Sequence, residues 1–405
     1  MSHVRILSLA AGGDGVGKLE DGRTVFVPRT APGDLIELTG LKKHKRFARA
    51  RLARLLEPSA HRVEPRCPHY VRDQCGGCQL QHVAYDTQLD SRRTFVGEAF
   101  RRLAKLDVAN PPITPAAKPY DYRTKLTLHA QEGGRRIGLH RYGRPDEIFD
   151  LQWCHITVPR LMELWQTVRS LRPLLPSSLT QVVLRLDRGG GVHLVIRVGE
   201  GDVWSGGQRL HSELHRRGTP VTLWYQPAGG APRALGPGTA FPATVFEQVH
   251  PEMGDQVRDF AVQQLGPVSG LRVWDLYAGI GETTAQLASR GARVESVELD
   301  RRAVNEAEAS GPPALRHAGR VEDLIDRLKT PDLVITNPPR TGMHEHVTAE
   351  LERLRPARLV YISCDPATLA RDVQRLQGFR LTLVRAFDLF PQTAHVETVA
   401  VLEAV

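Results

Sequence analysis

The sequence predicts a three-part α/β chain: a small N-terminal β-barrel, a mixed β-rich middle, and a C-terminal domain built on a doubly wound parallel sheet. Three observations predict it. Residues 1 to 57 read as the short strands "HVRILSLA", "GRTVFVPR", "DLIELTGL" and "RFARARLARLLE", broken by Gly, Pro and Asp turns, the pattern of an oligonucleotide-binding (OB-type) barrel. From 58 to 240, strand-like alternation ("YRTKLTLHA", "QVVLRLDRG", "GVHLVIRVGE") surrounds one stretch of helical spacing, "TQLDSRRTFVGEAFRRLAKL". From 241 to 405, strands and helices alternate, as a parallel sheet with crossover helices requires. The Gly- and Pro-dense "QPAGGAPRALGPGTAFPAT" marks the boundary before this last part.

The N-terminal region carries two signals. "GGDGVGKL" nearly spells a phosphate-binding loop, but Leu19 stands where a magnesium-binding hydroxyl is needed, and the text continues as strand. A Gly-rich strand connection is the better reading. "LKKHKRFARARLAR" carries Lys42, Lys43, Lys45, Arg46, Arg49, Arg51 and Arg54 with no acidic residue among them. Such a run repels itself unless a phosphate backbone neutralises it, and the whole chain carries a net charge of +9. Nucleic acid is the expected partner, with Lys42, Lys43, Lys45 and Arg46 as candidate contacts. No stretch reaches the ~20 apolar residues of a membrane span, so a soluble, cytoplasmic protein with no membrane partner is expected.

In the C-terminal part, "LRVWDLYAGIGETTAQLASRGARVESVELD" reads as strand, Gly-rich turn, helix and second strand. Gly279 and Gly281 allow a tight turn at a helix N-terminus, and Glu298 closes the second strand where a carboxylate can take two ribose hydroxyls. A dinucleotide fingerprint would have a third glycine at Thr284. That residue, with Asp275 before the turn, favours S-adenosyl-L-methionine over NAD. "DLVITNPPRTGM" ends a further strand in Asn337-Pro338-Pro339-Arg340. With an aromatic residue in place of Arg340, it would suggest methylation of an exocyclic amine. "LVYISCDP" puts Cys364 at another strand end, and "HVETVAVLE" puts Glu397 in an otherwise apolar strand, a costly place for a carboxylate without a use. Three further cysteines crowd into "RCPHYVRDQCGGCQLQH": Cys67, Cys75 and Cys78. In a reducing compartment they are candidate metal ligands, which still require a fourth.

In their order, "CPHYVRDQCGGCQLQH", "FEQVHPEM", "DLYAGIGETT", "VELD", "NPPRTG", "SCDPATLARD" and "FPQTAHVETV" resemble the RNA uracil-carbon-5 methyltransferases that make 5-methyluridine and carry an iron–sulfur cluster. The resemblance spans essentially the whole chain. It implies a class I Rossmann-like S-adenosyl-L-methionine methyltransferase domain at 241–405, a TRAM barrel at 1–57 and a central iron–sulfur and RNA-binding domain at 58–240. It implies Cys364 as nucleophile, adding to uracil carbon 6, and Glu397 as the base that removes the carbon-5 proton. It places Gln248 and Tyr277 beside the cofactor, with Gly279, Gly281, Glu282, Glu298 and Asn337. Four positions depart from the pattern: His250 stands where Asn is usual, and Arg320 falls near an expected Asp or Asn. Asn337 replaces Asp and Asp365 replaces Asn, an exchange that could be compensating.

With Cys364 assigned to catalysis, Cys154 remains as the fourth thiolate, separated from Cys78 by 75 residues. Spacing alone leaves zinc open, on the same four thiolates or on three with His69 or His82. The resemblance implies a [4Fe–4S] cluster, acting as a clasp on the RNA-binding domain. It also implies a monomer acting on RNA, ribosomal RNA in the first place and the transfer RNA T-loop as alternative. Two readings from other classes are an exocyclic-amine methyltransferase, which has no need of Cys364 or Glu397, and a non-enzymatic RNA-binding or iron-sensing module, which leaves the Gly-rich turn unexplained.

Overall fold

Alternation in the first 57 residues closes on itself. In the computed structural model, which describes residues 3–200, 204–236 and 247–405, five strands make a closed barrel. They are β1 (His3–Leu9), β2 (Gly15–Lys18), β3 (Thr24–Val27), β4 (Leu35–Lys43) and β5 (Phe47–Glu57), in the order β1-β2-β3-β5-β4. Val4 and Ile6 of β1 turn inward with Val25, Val27, Ile36 and Ala48. The "GGDGVGKL" segment is the turn into β2 and β2 itself. A Cβ on Gly15 would lie 2.0 Å from the Thr30 hydroxyl, and one on Gly17 2.3 Å from Val4. These glycines permit close backbone packing inside a barrel.

The chain continues through helix Tyr85–Ala99 and the short strand β6 (Ile113–Thr114) into a seven-stranded sheet. Its strands are β7 (Lys125–Gln131), β8 (Arg136–Arg141), β9 (Arg144–Asp150), β10 (Leu179–Leu186), β11 (Val192–Val198), β12 (Thr222–Gln226) and β13 (Arg233–Leu235), in the order β13-β12-β11-β10-β7-β8-β9. Alternate residues Leu126, Leu128, Leu184 and Leu194 pack on helices Pro159–Ser170 and Gly207–Arg216, and the same core takes in all four candidate ligand cysteines.

The third sheet comprises β14 (Arg272–Leu276), β15 (Arg293–Glu298), β16 (Leu315–Ala318), β17 (Leu333–Thr336), β18 (Arg358–Ser363), β19 (Phe379–Phe387) and β20 (Glu397–Ala404), with β6 at its edge. The order is β16-β15-β14-β17-β18-β20-β19-β6, with β14 to β18 parallel and β20 antiparallel to β18. Its central strands are apolar runs covered on both faces, as a parallel sheet demands.

Within residues 58–240, Val96, Phe100 and Ala104 bury into the core of the third sheet with Leu369 and Val373. Strand β6 likewise pairs with β19, covering an edge that would otherwise be open. The expected boundary at residue 240 lies outside the described residues. No helix among the described residues is long and apolar enough to cross a membrane.

Candidate active site and cysteine-lined cavity

Strands β14, β15, β17 and β18 all end at one edge of the third sheet, where ligands bind in doubly wound folds. A cavity of about 1110 Å³ opens there. It is lined by Gln248, Tyr277, Gly279, Glu282, Glu298, Asn337, Cys364 and Glu397, so eight of the nine catalytic and cofactor residues expected from the sequence meet in one place. Gly281 instead caps helix Glu282–Ser289 with φ 78°.

The Gly-rich turn is built for close approach to a ligand. Gly279 has φ 59° and open space around a would-be Cβ, so its left-handed backbone, not crowding, calls for glycine. Tyr277 holds φ 62° although it is not glycine, a strain characteristic of functional turns. Glu298 is aimed from both sides: Oε2 accepts the Gly279 N–H at 2.9 Å and Oε1 the Asp300 N–H at 2.8 Å. Thr284, where a dinucleotide motif has glycine, donates its hydroxyl to buried Asp275 at 2.6 Å. Burial pushes Asp275 up to about 7, with the Thr284 bond opposing. Glu282 pairs with Arg258 and, at 2.8 Å, with Arg188 from the β10–β11 connection. The middle sheet thereby reaches the cofactor side of the cavity.

The reactive pair owes its geometry to strand register. Ser363 of β18 stands opposite Thr398 of β20, which sets Cys364 beside Glu397 at the rim. Glu397 is 2 % exposed and its Oε2 has no hydrogen-bond partner. Burial pushes its carboxyl up to about 8, against the pull of Arg340. Burial, and then the Glu397 charge, also raise the half-buried Cys364 thiol, while Arg340 again opposes. One guanidinium therefore faces both groups, and its Nη2 lies 3.3 Å from Nε2 of His395. The sequence reading takes Arg340 only as the displacer of an aromatic residue and gives His395 no role. The available signal is that Arg340 directly follows Pro338-Pro339 at a strand end, pointing a fixed cation at the ligand edge.

The departures from the family pattern divide. Arg320 lines the cavity and pairs with Glu322 at 3.3 Å. His250 is buried, stacked on Tyr122 at 4.6 Å between ring centroids, with Nδ1 3.3 Å from the Leu389 carbonyl. It acts as a buttress. Asp365 caps helix Pro366–Arg375, accepting the N–H groups of Ala367 and Thr368 at 2.9 and 3.0 Å, while Asn337 faces the cavity. The exchanged carboxylate and amide do separate work, so the compensating exchange is not supported.

A second cavity, about 150 Å³, is lined by Cys67, Cys75, Cys78 and Cys154, all free and buried. Burial first, and the neighbouring thiols after it, raise Cys67, Cys75 (to about 12) and Cys78. The four thiols share one buried core. Of the histidine alternatives, His69 lines the cavity but is engaged through both ring nitrogens, with Asp73 at 2.7 Å and the Gln152 N–H at 3.0 Å. His82 has Nδ1 2.6 Å from the Tyr70 hydroxyl and Nε2 unpartnered, and does not line the cavity. Among the described residues no three ligand side chains are gathered for a single metal ion.

On the barrel, Lys42, Lys43, Lys45 and Arg46 are all exposed around the β4–β5 turn. Folding interleaves the basic run with acids from the turns on either side of β2 and from β4: Lys43 pairs with Asp21 at 3.0 Å, Arg49 with Asp14 at 3.7 Å and Arg54 with Glu37 at 3.3 Å.

The sheet order, the Gly279 turn and the Glu298 carboxylate at a strand end fit an S-adenosyl-L-methionine-dependent methyltransferase. Residues 314–405 match the family model described as tRNA (Uracil-5-)-methyltransferase. The chain is 31% identical to the 23S rRNA (uracil(1939)-C(5))-methyltransferase RlmD of Thiobacillus denitrificans, over 99% of each chain. It is 30% identical to the protein of the same name from Dechloromonas aromatica, over 95% of each. Its fold matches the Pyrococcus abyssi tRNA (uracil-54, C5)-methyltransferase bound to S-adenosyl-L-homocysteine, with TM-score 0.75 and 24% identity over 99% of this chain and 100% of that one. The chain belongs to the RNA uracil-carbon-5 methyltransferase family.

Proposed function

We propose that the protein methylates carbon 5 of one uridine in large-subunit ribosomal RNA through a covalent adduct on Cys364. The observation that carries the reading is the pairing of Cys364 with an unpartnered, buried Glu397 under one arginine, at the rim of the cavity. Uracil carbon 5 is a poor nucleophile. Addition of the Cys364 thiolate to carbon 6 makes carbon 5 an enolate carbanion. S-adenosyl-L-methionine, when bound, supplies the electrophilic methyl. Glu397 then takes the carbon-5 proton, the 5,6 double bond re-forms, and the thiolate leaves carbon 6. Glu298 would hold the ribose hydroxyls and Tyr277 would flank the cofactor. Gln248, Glu282 and Asn337 would complete its pocket beside the Gly279–Gly281 turn.

Cys67, Cys75, Cys78 and Cys154 would hold a [4Fe–4S] cluster. Methyl transfer moves no electrons, so the role of these four residues is to clasp the loop after the barrel to the middle sheet. The barrel is read as a TRAM domain, with the 58–240 region as the remainder of the RNA grip and 241–405 as the catalytic part. The target uridine must leave its stack to meet thiolate and methyl donor on opposite faces. Ribosomal RNA is preferred because the two named relatives above, matched along almost their full lengths, carry that substrate in their names. We read the protein as a cytoplasmic monomer.

The test is to incubate the protein with labelled methyl donor and total RNA from a strain lacking the gene, then map the modified base. One 5-methyluridine in large-subunit RNA is expected. Label on an exocyclic amine, or no label, contradicts the reading, and label in a transfer RNA T-loop changes the substrate but not the reaction.

A further inference from the structure

Glu397 is preceded by the stretch Asp388–Val396, which contains no helix or strand. Its anchors come from far earlier in the chain. Arg92, on helix Tyr85–Ala99, is fully buried. Its Nη2 donates to the Thr393 carbonyl at 2.7 Å and its Nε to the His395 carbonyl at 3.1 Å. Its Nη1 lies 3.5 Å from Oδ1 of Asp388, also fully buried, and Asp388 in turn accepts the Tyr85 hydroxyl at 2.5 Å. A second hold reinforces the first: Gln392 sits at φ 68°, with its carbonyl accepting the N–H groups of Gln79 and Leu80 at 3.1 and 3.0 Å.

A buried Arg–Asp pair is rarely the cheapest way to fill a core, so its presence suggests a demand of geometry. A guanidinium is a rigid planar fork, and one that bonds two carbonyls two residues apart fixes the backbone between them. Those carbonyls belong to Thr393 and His395, the latter two residues before Glu397. Arg92 does not line the active cavity, so any effect it has on the reaction passes through this backbone.

We propose that Arg92 is a positioning residue for Glu397, required for removal of the carbon-5 proton and not for the steps before it. The inference rests on Glu397 as the base. Without Arg92, thiolate addition and methyl transfer proceed, but the methylated RNA stays bonded to Cys364, because the carboxylate is out of reach of the proton whose loss expels the thiolate.

The experiment compares Arg92→Gln, Arg92→Lys and Glu397→Gln with the wild type, in the intact chain. Its readouts are cofactor affinity, methyl transferred in a single turnover, steady-state kcat, and RNA adduct on a denaturing gel. For Arg92→Gln we expect near-normal cofactor affinity and first-turnover methyl transfer, kcat lower by about 10- to 100-fold, and a methylated adduct that accumulates. Arg92→Lys should be intermediate. Should Arg92→Gln fail to fold, Asp388→Asn, which loosens the same arginine while keeping volume, should show the adduct more weakly. Adduct in Glu397→Gln with none in the Arg92 or Asp388 variants overturns the positioning role alone, as does parallel loss of cofactor binding, melting temperature and first-turnover transfer. No adduct in Glu397→Gln overturns the base assignment and this inference with it.

Discussion

Cys364 and Glu397 stand side by side because antiparallel pairing of β18 with β20 sets Ser363 opposite Thr398. Both are desolvated, and the Glu397 charge makes ionisation of Cys364 harder still. The shared counterweight is Arg340.

Removing that counterweight should therefore deactivate the thiol. Arg340→Gln should raise the Cys364 thiol further and slow its alkylation at pH 8. Peptide mass spectrometry after timed iodoacetamide treatment reads Cys364 separately from the four buried cysteines. An unchanged rate would remove Arg340 from thiol activation.

Glu397 should cost stability, in a pH-dependent way. Burial pushes its carboxyl up to about 8 in the folded chain, from an ordinary 4.5. Between those values the folded protein holds a proton that the unfolded chain has released, so stability falls as pH rises through the window and levels off above it. Glu397→Gln removes that titration. The variant should melt with the wild type near pH 4.5 and above it near pH 8, by a margin on the order of a few kcal/mol. An offset independent of pH would contradict the buried, unpartnered state of this carboxyl.

Much of this site was legible before any fold was known, because its residues sit at strand ends and in turns whose composition is restrictive. Gly279 needs a left-handed backbone, Glu298 closes a strand, and Cys364 and Glu397 break apolar runs. Arg92 was not legible. It falls in a helical stretch with several other arginines, and its carbonyl partners lie some 300 positions away, 301 and 303 along the chain. Long-range backbone contacts leave no local periodicity. Linear text likewise does not reveal that Val96 and Phe100 bury against a sheet formed much later. The basic run read as uninterrupted because its acidic partners arrive from elsewhere in the barrel, Asp14 and Asp21 from turns beside β2 and Glu37 from β4.

RNA binding should be salt-dependent, with the barrel contributing a definable share. Neutralising Lys42, Lys45 and Arg46 together should lower the slope of log affinity against log salt by about 2 to 3. Lys43, already paired with Asp21 at 3.0 Å, should contribute less than its neighbours. Filter binding across a salt series measures both, and an unchanged slope removes this turn from the RNA footprint.

The cysteine cavity makes its own prediction. Protein purified without oxygen should carry about four irons and four sulfides, as a [4Fe–4S] cluster requires. Cys154→Ser should lose iron and melt earlier while still binding S-adenosyl-L-methionine, whose pocket lies in the other cavity. Stoichiometric zinc without iron would overturn the cluster assignment.

The most direct test of the central claim is the covalent intermediate itself. Glu397→Gln, mixed with substrate RNA and S-adenosyl-L-methionine, digested and sequenced by mass spectrometry, should yield a peptide containing Cys364 bonded to a methylated uridine. An active wild-type enzyme whose Glu397→Gln variant forms no such adduct, or forms it on another cysteine, would contradict the account.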